Sequence, residues 1–516
     1  MPRPFGSMLP CAHRFIAVSL FLGLIFLSSA PSAAGSGTLK IGRNQDSTTF
    51  DPILISQSTD FWVVANANET LVRNNLDGTA VEPDLAESWT VSPDGLIYKF
   101  KLREGLKFSD GSPIKASDVK FSLERLRDST ESVFRALYTP MASIDIPDDR
   151  TMIITLGQPT ASFLAALALY SAAVLPEDAV KNHYDEWLEH PIGAGAFEIT
   201  EWRRGESVTL DKNPNYWEGP AKPKLDRVQW IYIPNDETRI VKLQAGQIDA
   251  MTLVPFDRID GLQRDPKLAV HLDMSRREDL LLINHNHPPL DRREVRQALC
   301  MAIDLDAIVK TVTFGHGISA NPYLAGGSLF HNPDNPRCIY DPAKAKTMLE
   351  AAGVKRLPLK LVISSADVTH EQLARLLQSQ LAQIGVTVEI EKQEAGQAWE
   401  TEVAGDYDLS IDYWTDDIGD PDEKSSFSLY GDPDNLSYHT RYRNPEVSML
   451  IDEGRAELDP GKRKAIYYKI QAIVKDDVPW IDLYYSPYRN ASRTYVKNFT
   501  QNPLGRFTLE DTEIVK

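Results

Sequence analysis

Cysteine is scarce in this chain: three residues in 516, of which Cys11 lies ahead of an early apolar run. With that leader removed only Cys300 and Cys338 remain, enough for a single disulfide. Spacing alone does not bring their Cα atoms within bridging range, so paired and free thiols are both open. A second apolar run is also missing. The stretch from Phe15 to Leu27, FIAVSLFLGLIFL, stands alone, and it is shorter than the roughly 20 residues of a membrane span. Catalytic signatures are absent too. There is no G-x-x-x-x-G-K-[ST] phosphate loop, so the chain does not itself hydrolyse nucleotides. AGGSLFH (Ala325 to His331) only touches the nucleophile-elbow pattern and has the wrong residue after its serine. His370-Glu371 begins like a zinc-peptidase helix, but Ala374 occupies the place of the second histidine. Low-complexity tracts, long Gly/Ser linkers and fixed-period repeats are missing as well.

The residues present point to export. Arg3 and Arg14 precede the apolar run, and SSAPSAAGSG follows it. A basic start, an apolar segment and a small-residue exit describe a secretory signal peptide. Ser32 and Ala34 suit the cleavage site, so residues 1–34 are expected to leave. The only early cysteine precedes the apolar run, so no lipid anchor is expected, and a bacterial periplasm is the natural compartment. Without Arg3 and Arg14, 53 basic side chains face 73 acidic ones, a net charge of −20. Such a surface repels nucleic acid and anionic membranes. A mature length of 482 residues exceeds one ordinary core and suggests two or three lobes.

Short strands and amphipathic helices are mixed throughout. YKFKL (Tyr98 to Leu102) alternates as a half-buried strand does. Ser117 is placed to cap a helix with Val119, Leu123 and Leu126 on one face. Asp291 and Glu294 read as a capping box ahead of a Val295, Leu299, Ala302 stripe. Asp341-Pro342 opens a further helix that Gly353 closes. QLARLLQSQLAQIG followed by VTVEIE is a helix-strand unit, and the class is α/β.

Two clusters invite a metal. His285 and His287 on an extended segment would point the same way, but no third or fourth ligand is evident nearby. DYWTDDIGDPDEKSSF (Asp412 to Phe427) crowds Asp412, Asp416, Asp417, Asp420, Asp422 and Glu423 around Trp414. It lacks the spacing of a calcium loop. No metal and no cofactor is expected.

Several stretches together resemble one family. EPDLAESWTVSPDGLIYKFKLREGLKFSDGSPIKASDVKFSLER (Glu82 to Arg125) is the most specific. PIGAGAFEITEWRRGESVTLDKNPNYWEG (Pro191 to Gly219) and PPLDRREVRQALCMAIDLDAIV (Pro288 to Val309) follow, with the early Phe50-Asp-Pro52 and the acidic loop completing the series. The chain resembles the large periplasmic solute-binding proteins of ABC importers, the family 5 branch that contains dipeptide- and oligopeptide-binding proteins. The resemblance implies an α/β, two-lobed, type II clamp with an extra inserted domain. One lobe would comprise 35–70, 191–283 and 485–516, the insertion 71–190, and the other lobe 284–484. It also implies a monomeric, non-enzymatic carrier that delivers a peptide or peptide-like cation to a membrane permease. An opine, a nickel chelate or an oligosaccharide is the alternative cargo, and a secreted hydrolase the rival class.

Asp417 matches the aspartate with which peptide-binding members hold the ligand's α-ammonium, and Trp414 would supply an apolar wall. Ser58, Thr59 and Asp60 are further candidate contacts, whereas Phe61 and Trp62 read as core. Asp416, Asp420 and Asp422 read as solvated turn residues. Dipeptide-specific relatives use an arginine just before the helix that starts near His370, and Leu357 to Ala374 contains none. The leader assignment predicts that N-terminal sequencing of the exported protein begins at Gly35; a chain starting at Met1 would contradict it.

Overall fold

The computed structural model describes residues 37–321, 323–365, 368–431 and 437–515, and the expected leader lies outside them. None of the described helices is long and apolar enough to cross a membrane. Three sheets organise the chain. The first has seven strands in the order Leu268–Asp273, Tyr488–Arg493, Ala250–Met251, Thr38–Arg43, Arg227–Tyr232, Ser207–Lys212 and Phe197–Arg203. The second has six, in the order Ile318–Ser319, Trp480–Tyr485, Glu278–Ile283, Leu409–Trp414, Leu357–Ser364 and Val386–Gln393. The third is an antiparallel sheet of four strands between Ala86 and Leu156.

Each sheet follows from its side-chain pattern. Ile97–Leu102 alternates strictly between exposed and buried, as the period of a half-covered strand requires. Its Tyr98, Phe100 and Leu102 join Val119, Leu123 and Leu126 of the helix Ala116–Asp128 in one core. Glu278–Ile283 is buried at every position, because it is a central strand covered on both faces. A separate core packs Trp62 against Trp230 at 5.8 Å beneath the seven-stranded sheet.

The chain passes between the two large sheets twice. Leu268–Asp273 belongs to the first and Glu278–Ile283 to the second, so residues 274–277 form one crossing. Ser486 and Pro487 form the other, on the return from Trp480–Tyr485 to Tyr488–Arg493. The backbone N–H of Ser486 donates to the Arg277 carbonyl at 3.2 Å, so the crossings run side by side. The sequence reading drew its first boundary after residue 283, one strand later than this crossing.

Helix caps depart from the sequence reading in two places. The Ala116 helix is capped from Lys115, whose N–H donates to Asp118 at 2.8 Å, and Ser117 lies inside the first turn. The helix Arg293–Met301 starts after Arg292 with no side-chain cap, and Glu294 takes Arg292 as an ion pair instead of closing a capping box. Asp341 does cap Pro342–Ala351, accepting from the Lys344 N–H at 2.9 Å, and Gly353 takes the left-handed φ of 77° just beyond.

Cys300 and Cys338 form a disulfide with Cα atoms 6.0 Å apart. The bridge closes a loop across a separation of 38 residues, a constraint of about 4 kcal/mol on the unfolded chain in the loop-entropy treatment. The double variant Cys300→Ser/Cys338→Ser is therefore expected to lower the melting temperature by several degrees in calorimetry. An unchanged transition would show that the bridge adds nothing to stability.

Candidate ligand-binding site

The acidic loop begins where Leu409–Trp414, a strand inside the six-stranded sheet, runs out at its carboxyl end. It finishes at the helix Pro421–Ser428, which Asp420 caps by accepting from the Asp422 N–H at 2.9 Å. Proline at the first helical position loses nothing, because its missing N–H would have had no partner there.

Five of the six carboxylates are bound within the protein. Asp420 also takes both ends of the Arg463 guanidinium, at 2.5 and 2.7 Å. Asp422 accepts from Ser162 at 2.7 Å and from Arg455 at 3.2 Å. Asp416 accepts from the Trp414 indole at 3.0 Å and from Ser328 at 3.2 Å. Asp412 accepts from the Tyr438 hydroxyl at 3.0 Å, and burial followed by nearby Glu402 pushes it up to about 6. Glu423, 1 % exposed, receives the backbone N–H groups of Asp417 and Ile418 at 3.1 and 3.0 Å. Asp416, Asp420 and Asp422 are thus buried anchors and not the solvated turn residues expected from sequence. Beside a few local contacts, their distant partners lie between 33 and 260 residues away, which no local pattern displays.

Asp417 is the exception. Its side chain is half-buried, and burial pushes it up to about 7. The charged neighbours that act on it are two carboxyls: Glu423, in hydrogen-bond contact, and Asp416. Among the described residues no cation is paired with it. Three tyrosines surround the loop. Burial raises the hydroxyls of Tyr170 and Tyr488, and Asp417 is the next cause for both. Tyr138 feels Glu423 in the same way. Tyr488 also lies within the influence of Arg277, whose guanidinium covers the Tyr413 ring at 3.9 Å. A half-buried carboxyl beside other carboxyls, with no cation paired to it among the described residues, is suited to receive a positive group.

The other expected contacts are placed as follows. Trp414 is 8 % exposed and packs edge-on against Tyr438 at 5.1 Å, so its face joins a core and its N–H holds Asp416. Asp60 is wholly buried, and its two oxygens accept from the Thr48 N–H at 2.9 Å and hydroxyl at 2.5 Å. Thr59 is buried, with its carbonyl taken by Arg43 at 2.8 Å. Ser58 is exposed at the start of the helix Ser58–Ala67. The two histidines are engaged separately, His285 with the Pro479 carbonyl at 3.1 Å and His287 with Asp408 at 2.9 Å. Glu423, Tyr170 and Tyr488 were not singled out from sequence. Glu423 alone left a signal there, as one carboxylate among six.

An open polar hollow of about 780 Å³ lies elsewhere, against the seven-stranded sheet. Four of its charged side chains pair with one another, Arg227 with Asp211 at 2.5 Å and Arg203 with Glu201 at 2.8 Å.

Residues 80–435 match the sequence model described as "Bacterial extracellular solute-binding proteins, family 5 Middle". The chain belongs to this family. A similar curated relative is the probable D,D-dipeptide-binding periplasmic protein DdpA of Escherichia coli K12, 30 % identical over 94 % of this chain and 96 % of the relative. DppA of Helicobacter pylori, solved in complex with the peptide STSA, superposes with a TM-score of 0.83. It is 28 % identical over 93 % of this chain and 98 % of that one. AgaA of A. tumefaciens R10, solved with agropinic acid, gives a TM-score of 0.82 at 27 % identity, covering 93 % and 99 %. The fold is the α/β, two-lobed type II clamp with an inserted domain that the resemblance implied.

Substitutions separate the anchors from the exception. Asp420→Ala leaves Arg463 buried without its carboxylate and is expected to cost about 3–5 kcal/mol. Asp417 has a raised folded-state pKa, so the empty protein is more stable below the carboxylate range and loses that part as pH rises through about 7. Asp417→Asn should therefore match the wild-type melting temperature near pH 5.5 and equal or exceed it at pH 8.5, flattening the decline between them. A strongly destabilised Asn variant would make Asp417 another anchor.

Proposed function

We propose that the protein is the periplasmic substrate-binding component of an ABC import system. It encloses a peptide or peptide-like cation between two lobes and delivers it, chemically unchanged, to a membrane permease. The observation that carries this reading is the half-buried Asp417 carboxyl, which has no cation paired with it among the described residues. A ligand ammonium supplies the missing charge and gains charge-assisted hydrogen bonds that water no longer competes for. In this reading the chain is not an enzyme, uses no cofactor, carries no lipid anchor and acts as a monomer.

One lobe is built on the seven-stranded sheet together with the insertion that carries the four-stranded sheet, and the other on the six-stranded sheet. Residues 274–277 and 486–487 are the hinge strands. Asp417 is the ammonium anchor, and Ser58 faces the cleft as a polar contact. Thr59, Asp60 and Trp414 act behind the contact surface. Asp60 holds the loop at Thr48 and Trp414 holds Asp416.

A second reading keeps the fold and the cation but changes the cargo to an amine-bearing compound with no fixed carboxylate. It is favoured by the absence of arginine from Leu357 to Ala374. Isothermal titration calorimetry with tri- and tetrapeptides, free and N-acetylated, tests the proposal. Free-amine peptides are expected to bind, acetylation to abolish binding, and Asp417→Asn to weaken it roughly ten- to a hundredfold, the range of a hydrogen bond to a charged group. Equal affinity for free and acetylated peptides would overturn it.

A further inference from the structure

We propose that Glu423 is the second carboxyl of the ammonium pocket, that Glu423 and Asp417 hold one proton between them in the empty clamp, and that a cationic guest enters by displacing that proton. The inference rests on the preceding reading of Asp417 as the anchor.

The geometry begins with the helix Pro421–Ser428. Capped at Asp420, it sets Glu423 in its first turn, where the side chain folds back over the loop. One oxygen of Glu423 receives the N–H groups of Asp417 and Ile418, which fixes the carboxyl in place. The same carboxyl is in hydrogen-bond contact with that of Asp417. Carboxylates only accept hydrogen bonds, so two of them in contact need a proton between them. Two ionised carboxyls at this separation in a dry site would repel strongly.

Among the described residues no cation replaces the proton. Asp416, the third acid, is held by Trp414 and Ser328 and adds negative charge. Lys424 follows Glu423 in sequence, but its ammonium turns to Glu278 and the Tyr323 carbonyl. Arg455 and Arg463 are committed to Asp422 and Asp420. From the opposite elements Tyr138, Tyr170 and Tyr488 lie within the electrostatic reach of the pair, with their hydroxyls donating to the carbonyls of Ala166, Ile55 and Pro503. Burial pushes Glu423 well above the usual carboxylate range, with Asp417 and then Asp416 as the next causes.

The exchange balances simply. The shared proton leaves to solvent, the two carboxylates remain, and the guest's positive charge takes its place. To satisfy both carboxylates the guest needs a full charge and at least two N–H donors. A primary ammonium or a guanidinium qualifies. A quaternary ammonium has the charge without the donors, and an acylated amine lacks the charge.

Calorimetric titration with an equimolar pool of free-amine tripeptides, in phosphate, HEPES and Tris at pH 6.5, counts the protons released on binding. The proposal expects close to one proton released per bound peptide at pH 6.5, and affinity rising up to tenfold per pH unit until about pH 7.5, above which the peptide's own amine begins to lose its proton. Glu423→Gln leaves a single carboxyl at Asp417 and should bind more weakly, and at pH 7.5, where a lone Asp417 is largely ionised while the wild-type pair keeps its proton, it should release clearly fewer protons than the wild type. The wild-type pH series stands by itself should that variant fail to fold. Peptide binding without proton release would overturn the exchange and leave the Asp417 anchor standing. A pool that does not bind, or binds equally when acetylated, would overturn both.

Discussion

Two carboxyl groups in contact, dried by the fold and given no cation, are the constraint on which the rest of this site depends. Such a pair is unfavourable by itself, and a protein keeps it only where the surroundings over-determine it. Here they do so through charges that are satisfied. Arg463 fixes Asp420 and with it the start of the helix that carries Glu423. Trp414 and Ser328 fix Asp416, and two backbone N–H groups fix Glu423 itself. The loop spends most of its acids on rigidity so that one acid can be left exposed to a guest.

The same loop is a seam between parts of the molecule. Ile418, next to Asp417, is wholly buried in the core formed mainly by the four-stranded sheet and its helices. Gly419 passes so close to Gly78 that a Cβ would sit 2.4 Å from the Gly78 carbonyl oxygen, which no other residue would tolerate. Asp422 reaches Ser162, and the Arg455 carbonyl accepts from the Ala161 N–H at 2.9 Å. An ammonium that settles on Asp417 therefore acts one residue away from the contact that joins the six-stranded half to the insertion. On the proposed reading, binding and closure share a loop, and ligand charge would bias closure through contacts only a few ångströms long.

Much of this was legible in the sequence, for reasons specific to each element. Tyr98–Leu102 shows its strand period directly, and Asp341-Pro342 with Gly353 brackets a helix by backbone chemistry alone. The acidic loop announces itself by composition. What the sequence hides is every partner that arrives from far along the chain. Asp420 looked solvated because Arg463 stands 43 positions away, and Asp60 looked available because Thr48 belongs to a preceding loop. Cap positions shifted at Lys115 and Arg292, where neighbouring charges took the groups expected to cap. Glu423 was one acid in a crowd until the helix turned it back toward Asp417.

The measurement that reaches the central claim most directly is native mass spectrometry of the exported protein as purified, followed by denaturation and identification of what is released. The account predicts that the released compounds, a ladder of short peptides or a single small molecule, carry a free amine or guanidine. Release of a neutral sugar or of an acylated, uncharged ligand bound in unit stoichiometry would contradict it.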